Sequence, residues 1–159
     1  MKPVDQTIID VENGDCTRAC LASILELEID AVPNFIRYGA SWFKIFWPFL
    51  KSLGYEYYGV GFPIGDEYPK GHIIRDEPNI DGYVIASVPS RCFENSGHSV
   101  VMDLEGLVVH DPNPNKGWQD INVLKSGDLQ HWMMIGKKDD EMHERVVEEI
   151  SDKMVKGEV

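Results

Sequence analysis

The spacing of apolar residues changes character midway along the chain, and that change limits the fold more than any other feature of the sequence. Up to about Leu53 the apolar residues recur at helical spacing, as on a helix with one buried face. From Tyr55 onward they fall in short runs separated by turn residues, which is the pattern of strands. Helices first and strands afterwards predict an α+β domain, with N-terminal helices packed on a C-terminal antiparallel sheet, and not a βαβ sheet.

In the first half, Asn13-Gly14-Asp15 reads as a turn feeding a helix from about Cys16 to Leu27, with Asp15 at the N-cap. Cys20, Ile24 and Leu27, flanked by Leu21 and Leu25, mark its buried face. Ala31-Val32-Pro33 predicts a second, short helix through Arg37 that Gly39 ends, because proline is tolerated in a first turn. Ser41 is placed to cap a third helix from Trp42 to Leu53, closed by Gly54 and kinked at Pro48.

In the second half the expected strands are Tyr55 to Gly61, Gly82 to Val88, His98 to Asp103, Leu107 to His110 and His131 to Gly136. Leu104-Glu105-Gly106 supplies a hairpin turn, and the proline- and glycine-rich stretch from Phe62 to Ile80 reads as a surface loop. Residues 1–138 form one domain. The acidic tail, 139–159, carries Met142, Val146, Ile150 and Met154 at helical spacing, as in an amphipathic helix packed on the domain or on a second subunit.

Composition narrows the classes of function. The chain has 159 residues, of which 43% are hydrophobic, and these suffice for one packed core. A formal net charge of −12 with scattered Lys and Arg speaks against nucleic acid, whose phosphates demand clustered cations. No window approaches the ~18 consecutive apolar residues of a spanning helix, and Met1 is not followed by a signal sequence. The expected setting is cytoplasmic, without a membrane partner. Cys16, Cys20 and Cys92 are too few and too odd in number for a disulfide framework, so the thiols are expected to be free.

Three short stretches carry chemistry. Gly14-Asp15-Cys16 puts a thiol in the first turn of a helix, where unpaired N–H groups and the helix dipole favour a thiolate. Ser96-Gly97-His98 opens an apolar strand with a histidine that the sheet holds rigidly, suited to accept the thiol proton. His110-Asp111-Pro112 closes the next strand of the same hairpin, which brings Asp111 back to His98 as the group that orients its ring.

These stretches, with Ala19-Cys20-Leu21-Ala22 behind the first, resemble the C39-type peptidase branch of the papain-like fold. Gln6-Thr7, Val32-Pro33-Asn34-Phe35 and His110-Asp111-Pro112 also resemble segments of small bacterial and phage proteins of similar layout. The resemblance implies Cys16 as nucleophile, His98 as general base and Asp111 as orienting residue. It further implies that a glutamine ahead of the cysteine helps hold the oxyanion, and Gln6 is the only glutamine there. Gln6 stands further from the cysteine than in the peptidases, where Asp10 occupies the usual spacing, and Thr17 replaces the family's glycine.

The expected activity is hydrolysis of an amide or peptide bond in a peptide or protein, through a thioester and without metal or cofactor. Two other readings remain open: a deamidase or transglutaminase sharing the first step, and a silent papain-like scaffold that binds or inhibits a partner. Cys20 and Cys92 are expected as small core residues. Cys16, Cys20, His98 and His110 are a less favoured zinc set, His72 and His131 have no evident partner, and the aromatics from Trp42 to Phe49 belong to the core.

Overall fold

A computed structural model describes residues 1–63, 77–138 and 155–157 of the chain. In order along the chain come helix α1 (Cys16–Leu25), 3₁₀ segments at Ile29–Ala31 and Phe35–Ser41, and helix α2 (Phe43–Ser52). Strands β1 (Tyr55–Gly61), β2 (Tyr83–Pro89), β3 (Gly97–Asp103) and β4 (Val108–His110) follow, then a helical turn α3 (Val123–Ser126) and strand β5 (His131–Lys137). The five strands form one antiparallel sheet in the order β1-β5-β2-β3-β4. This is the α+β arrangement the changing period requires.

Strand alternation divides the core into two layers. Ile85, Val101 and Ile135 face the helices and pack with Leu21, Phe35, Phe46 and Leu50, while Val84, Ala86, Val88, Val100 and Met102 point to the opposite face. That second face is covered by Trp118, Val123 and Leu129, from the segment that connects β4 to β5. The sheet is therefore buried on both sides, although only the helical layer was expected from the apolar spacing.

The helical half departs from expectation at its boundaries. Helix α1 stops at Leu25 because Glu26 adopts a left-handed conformation with φ 57°, and the Leu27 amide bonds back to the Ala22 carbonyl. A glutamate at that position gives no sequence signal of a helix end. Val32, ahead of Pro33, is extended because proline disfavours helical backbone in the preceding residue. The expected single helix from Ala31 to Arg37 is thus split into two 3₁₀ segments. Gly39 does not end the second; it sits inside it at φ 53° and turns the chain. Ser41 is not a cap, since the 3₁₀ segment runs directly into α2 and Trp42 holds the cap position without a side-chain bond. Helix α2 carries Pro48 within it.

The β hairpin is built as expected. Gly106, at φ 91°, donates to the Asp103 carbonyl, and the Asp103 carboxylate accepts from the amides of Glu105 and Leu107. Of the loop from Phe62 to Ile80, residues 64–76 lie outside the described residues, as does the tail apart from 155–157. Among the described residues no helix is long and apolar enough to cross a membrane.

The turn before α1 depends on a glycine. The Asp10 carboxylate gathers the amides of Glu12 and Asn13 at 2.7 and 2.6 Å, and this tight loop brings the Asp10 carbonyl to within 2.4 Å of where a Gly14 Cβ would stand. A side chain there collides with backbone, which cannot rotate away. Gly14→Ala is expected to destabilise the fold by about 1–3 kcal/mol, the range for overpacked sites, as a lowered midpoint in denaturant with unchanged slope. An unchanged midpoint contradicts this account of the turn.

Candidate active site

Cys16 is the first residue of α1, and what surrounds that helix end is unusual for a cap. Asp15 occupies the N-cap position but makes no capping bond; its fully buried carboxylate instead accepts from the Thr7 amide, the Thr7 hydroxyl and the Ile8 amide at 2.9, 2.7 and 2.8 Å. The capping role expected for Asp15 is therefore corrected. In consequence the first-turn N–H groups, which have no acceptor within the helix, are not consumed by the side chain best placed to do so. The Asp15 bonds also fasten the N-terminal strap to α1. The same strap reaches the far side of the site, where the Gln6 amide donates to the Pro112 carbonyl at 2.9 Å and His110 Nε2 donates to the Val4 carbonyl at 2.8 Å.

The sheet meets α1 at a place the topology leaves open. Strand β4 pairs with β3 only from Val101 onward, so the Gly97–Val100 end of β3 has a strand neighbour on the β2 side alone. The head of α1 fills that space: Thr17 Oγ1 and Ser99 Oγ are 2.8 Å apart, and the Ser99 backbone amide helps to lower the Cys16 thiol. Thr17 is buried and serves as this clasp.

His98 precedes Ser99 and lies between Cys16 and Asp111. Its Nε2 donates to Asp111 Oδ1 at 2.8 Å, since an ionised carboxylate only accepts. Nδ1 is then the ring nitrogen left for Cys16, which lines both clefts together with His98. Asp111 is 1% exposed, and its carboxylate also accepts from the backbone amides of Asn113 at 2.9 Å and Trp118 at 2.8 Å. A buried carboxylate needs such donors to stay charged. The turn after β4 thus both holds Asp111 ionised and aims it at the imidazole.

Electrostatics follow from these contacts. Burial pushes the Cys16 thiol up, but the hydrogen bond and charge of His98 and the Ser99 amide outweigh it, and the net shift is downward from 9.0. Burial alone would lower His98; hydrogen bonds to Asp111 and Cys16 overcome it and raise the ring to about 9. Burial likewise works against the Asp111 carboxylate, and its bonds to His98, Trp118 and Asn113 bring it below 3.8. The Cys16 and His98 shifts both act in the direction of a thiolate–imidazolium pair.

Gln6 is 7% exposed and lines the same cleft as Cys16 and His98; its Nε2 donates to the Ile8 carbonyl at 2.9 Å, and its Oε1 is buried without a partner. The other sequence candidates divide. Cys20 is fully buried, one turn behind Cys16, and burial raises its thiol well above 9.0. Cys92 is not a core residue: it is exposed in the cleft, and its Sγ accepts from Asn113 Nδ2 at 3.3 Å. A polar turn flanks it, Ser90 to Ser96, so burial was the wrong inference from residue type alone. His110 is buried and bonded to backbone, and among the described residues no three His, Cys, Asp or Glu side chains group to hold a metal ion. His131 is half-buried at the cleft, with its ring 5.9 Å from that of Phe62, and His72 lies outside the described residues. Ser99 was not singled out from the sequence, and Thr17 only as the residue in place of the family's glycine, although both adjoin residues that were.

Two clefts meet at the Cys16–His98 pair. One, of ≈ 260 Å³, is walled by Phe35, Ile36, Trp42, Ile85 and Met133. The other, of ≈ 220 Å³, is walled by Gln6, Asp10, Ser90, Cys92 and Asn113, and both include Ile36 and Gly97. Comparisons with family models, with curated proteins and with solved structures found no match for the chain.

The ionisations carry a definite sign. A folded His98 value of about 9 against 6.5 makes its contribution to stability complete below pH 6.5 and lost as pH rises through about 9. The lowered Cys16 value acts oppositely, contributing above 9.0 and fading as pH falls. Where both groups titrate the two act in opposite directions, so direct titration is a better probe than unfolding. The His98 ring followed by NMR is expected to titrate at about 9 in the folded protein, and lower in Asp111→Asn, where burial is less opposed. Titration near 6.5 in the unaltered protein contradicts the arrangement.

Proposed function

We propose that this chain is a cysteine-nucleophile hydrolase of papain-like architecture that cleaves an amide or peptide bond in a peptide or protein substrate. The observation that carries the reading is the His98 ring, bonded to a buried, fully partnered Asp111 and lining the same clefts as Cys16, whose thiol it lowers. A strand histidine that merely needed satisfying has no use for a thiol at the head of a helix and a carboxylate fixed by two further amides. The free thiols suit a reducing, cytoplasmic setting.

In this reading the Cys16 thiolate attacks the carbonyl carbon, and the electron pair of the C=O moves to its oxygen. The negative oxygen is held by the Cys16 amide, which as the first N–H of α1 has no acceptor within the helix, and by the Gln6 side-chain amide, whose second N–H is not used by the Ile8 carbonyl. His98, already protonated, gives its Nδ1 proton to the leaving nitrogen as the C–N bond breaks, and a thioester on Cys16 remains. The now neutral imidazole takes a proton from water, whose oxygen attacks the thioester; the C–S bond breaks and the thiolate returns to its partner. Asp111 stays ionised throughout and keeps the ring in one orientation.

The test uses a reactive acyl donor, p-nitrophenyl acetate, with intact-mass detection. The unaltered protein is expected to form an acetyl adduct at Cys16 that turns over with release of acetate; Cys16→Ser and His98→Ala lose this. Gln6→Ala is expected to slow acylation by about 10²–10³-fold, the usual effect of removing one oxyanion donor, while alkylation of Cys16 by iodoacetamide keeps its rate. Acetylation spread over lysines, with Cys16 unmodified, sinks the proposal and leaves a binding scaffold.

A further inference from the structure

Cys16 and His98 stand where two unlike clefts meet, and the contrast between the clefts says what sort of amide fits. Among the described residues the ≈ 260 Å³ cleft is lined by no Asp, Glu, Lys or Arg; its walls are Phe35, Ile36, Trp42, Ile85 and Met133. These come from the second 3₁₀ segment, the start of α2, and the helix-facing sides of β2 and β5, so the pocket is an inlet of the helical core that reaches the thiol. Its one ionisable neighbour from β5, His131, is shifted down by burial and is neutral near pH 7. Its volume is below the roughly 300–1,000 Å³ of pockets for drug-sized ligands, so it takes one large side chain and no more. The opposite cleft is mixed, with Gln6, Asp10, Ser90 and Asn113 beside Ile9, Val11 and Phe93.

Resting on the nucleophile reading above, we infer that the substrate is an amide carrying one bulky uncharged apolar group beside the scissile bond, seated against Ile36, Trp42 and Met133, with anionic groups excluded from that seat. Burying an apolar side chain there is favourable, whereas a carboxylate would be desolvated against apolar walls, where the one cation among the described lining residues, His98, is already engaged by Asp111. The wall residues therefore choose the substrate, and the opposite, mixed cleft accommodates the rest of it.

The experiment compares alkylation by chloroacetamide and its N-benzyl, N-isobutyl and N-carboxymethyl derivatives, with peptide mapping to give the rate at Cys16 and at Cys92 in each sample. Exposed Cys92 controls for intrinsic reactivity and for the overall negative charge. The Cys16-to-Cys92 ratio is expected to rise about tenfold for the benzyl and isobutyl reagents over chloroacetamide, the factor for roughly half of a side chain's transfer free energy, and to fall for the carboxymethyl reagent. Met133→Glu is expected to erase this preference, and Met133→Gln, which keeps the volume if the glutamate variant does not fold, to weaken it. Equal ratios across the reagents, or a preference untouched by either variant, overturn the inference. Plain chloroacetamide reacting no faster at Cys16 than at Cys92 removes the nucleophile itself, and the inference with it.

Discussion

The head of α1 rests against the stretch of β3 that β4 leaves uncovered, and the site depends on that single contact. Strand ends without a neighbour expose backbone amides that must find a partner. Here the Ser99 hydroxyl finds Thr17, and the Ser99 amide helps to lower the Cys16 thiol. The same open end lets His98 reach the thiol on one side and Asp111 on the other. Had β4 run two residues further along β3, the helix would have no place to dock there.

Two buried carboxylates hold this junction from opposite sides. Asp15 ties the N-terminal strap to the start of α1, and Asp111 ties the turn after β4 to the histidine; both are almost wholly removed from solvent. Carboxylates are seldom buried so completely unless each oxygen is met by a donor. Gln6 lies on the strap between them, bonded through its own amide to Pro112. The strap thereby links nucleophile and orienting group without itself belonging to any regular element.

Much of this was legible in the sequence because it rests on local rules. The change from helical to strand spacing fixed the α+β class, and the thiol at a helix head, the histidine at a strand start and the aspartate at the hairpin's end followed from position alone. Long-range partners could not be seen in this way. Asp15 has the sequence of a cap, but Thr7 and Ile8 compete for it once the chain folds back. Glu26 ends α1 in a conformation that glycine would have signalled. Cys92 looks like any small apolar residue until its turn is seen to border the cleft. The second core layer, built on Trp118, Val123 and Leu129, lies in a segment whose apolar residues follow neither period.

The state of the Cys16 sulfur decides the account. Thiolate absorbance in the ultraviolet, followed against pH in Cys92→Ser, leaves Cys16 and the buried Cys20, whose thiol titrates well above 9.0. The account predicts a step below 9.0 that disappears when Cys16 is also changed to serine. A first step at or above 9.0, unaltered by that second change, contradicts it.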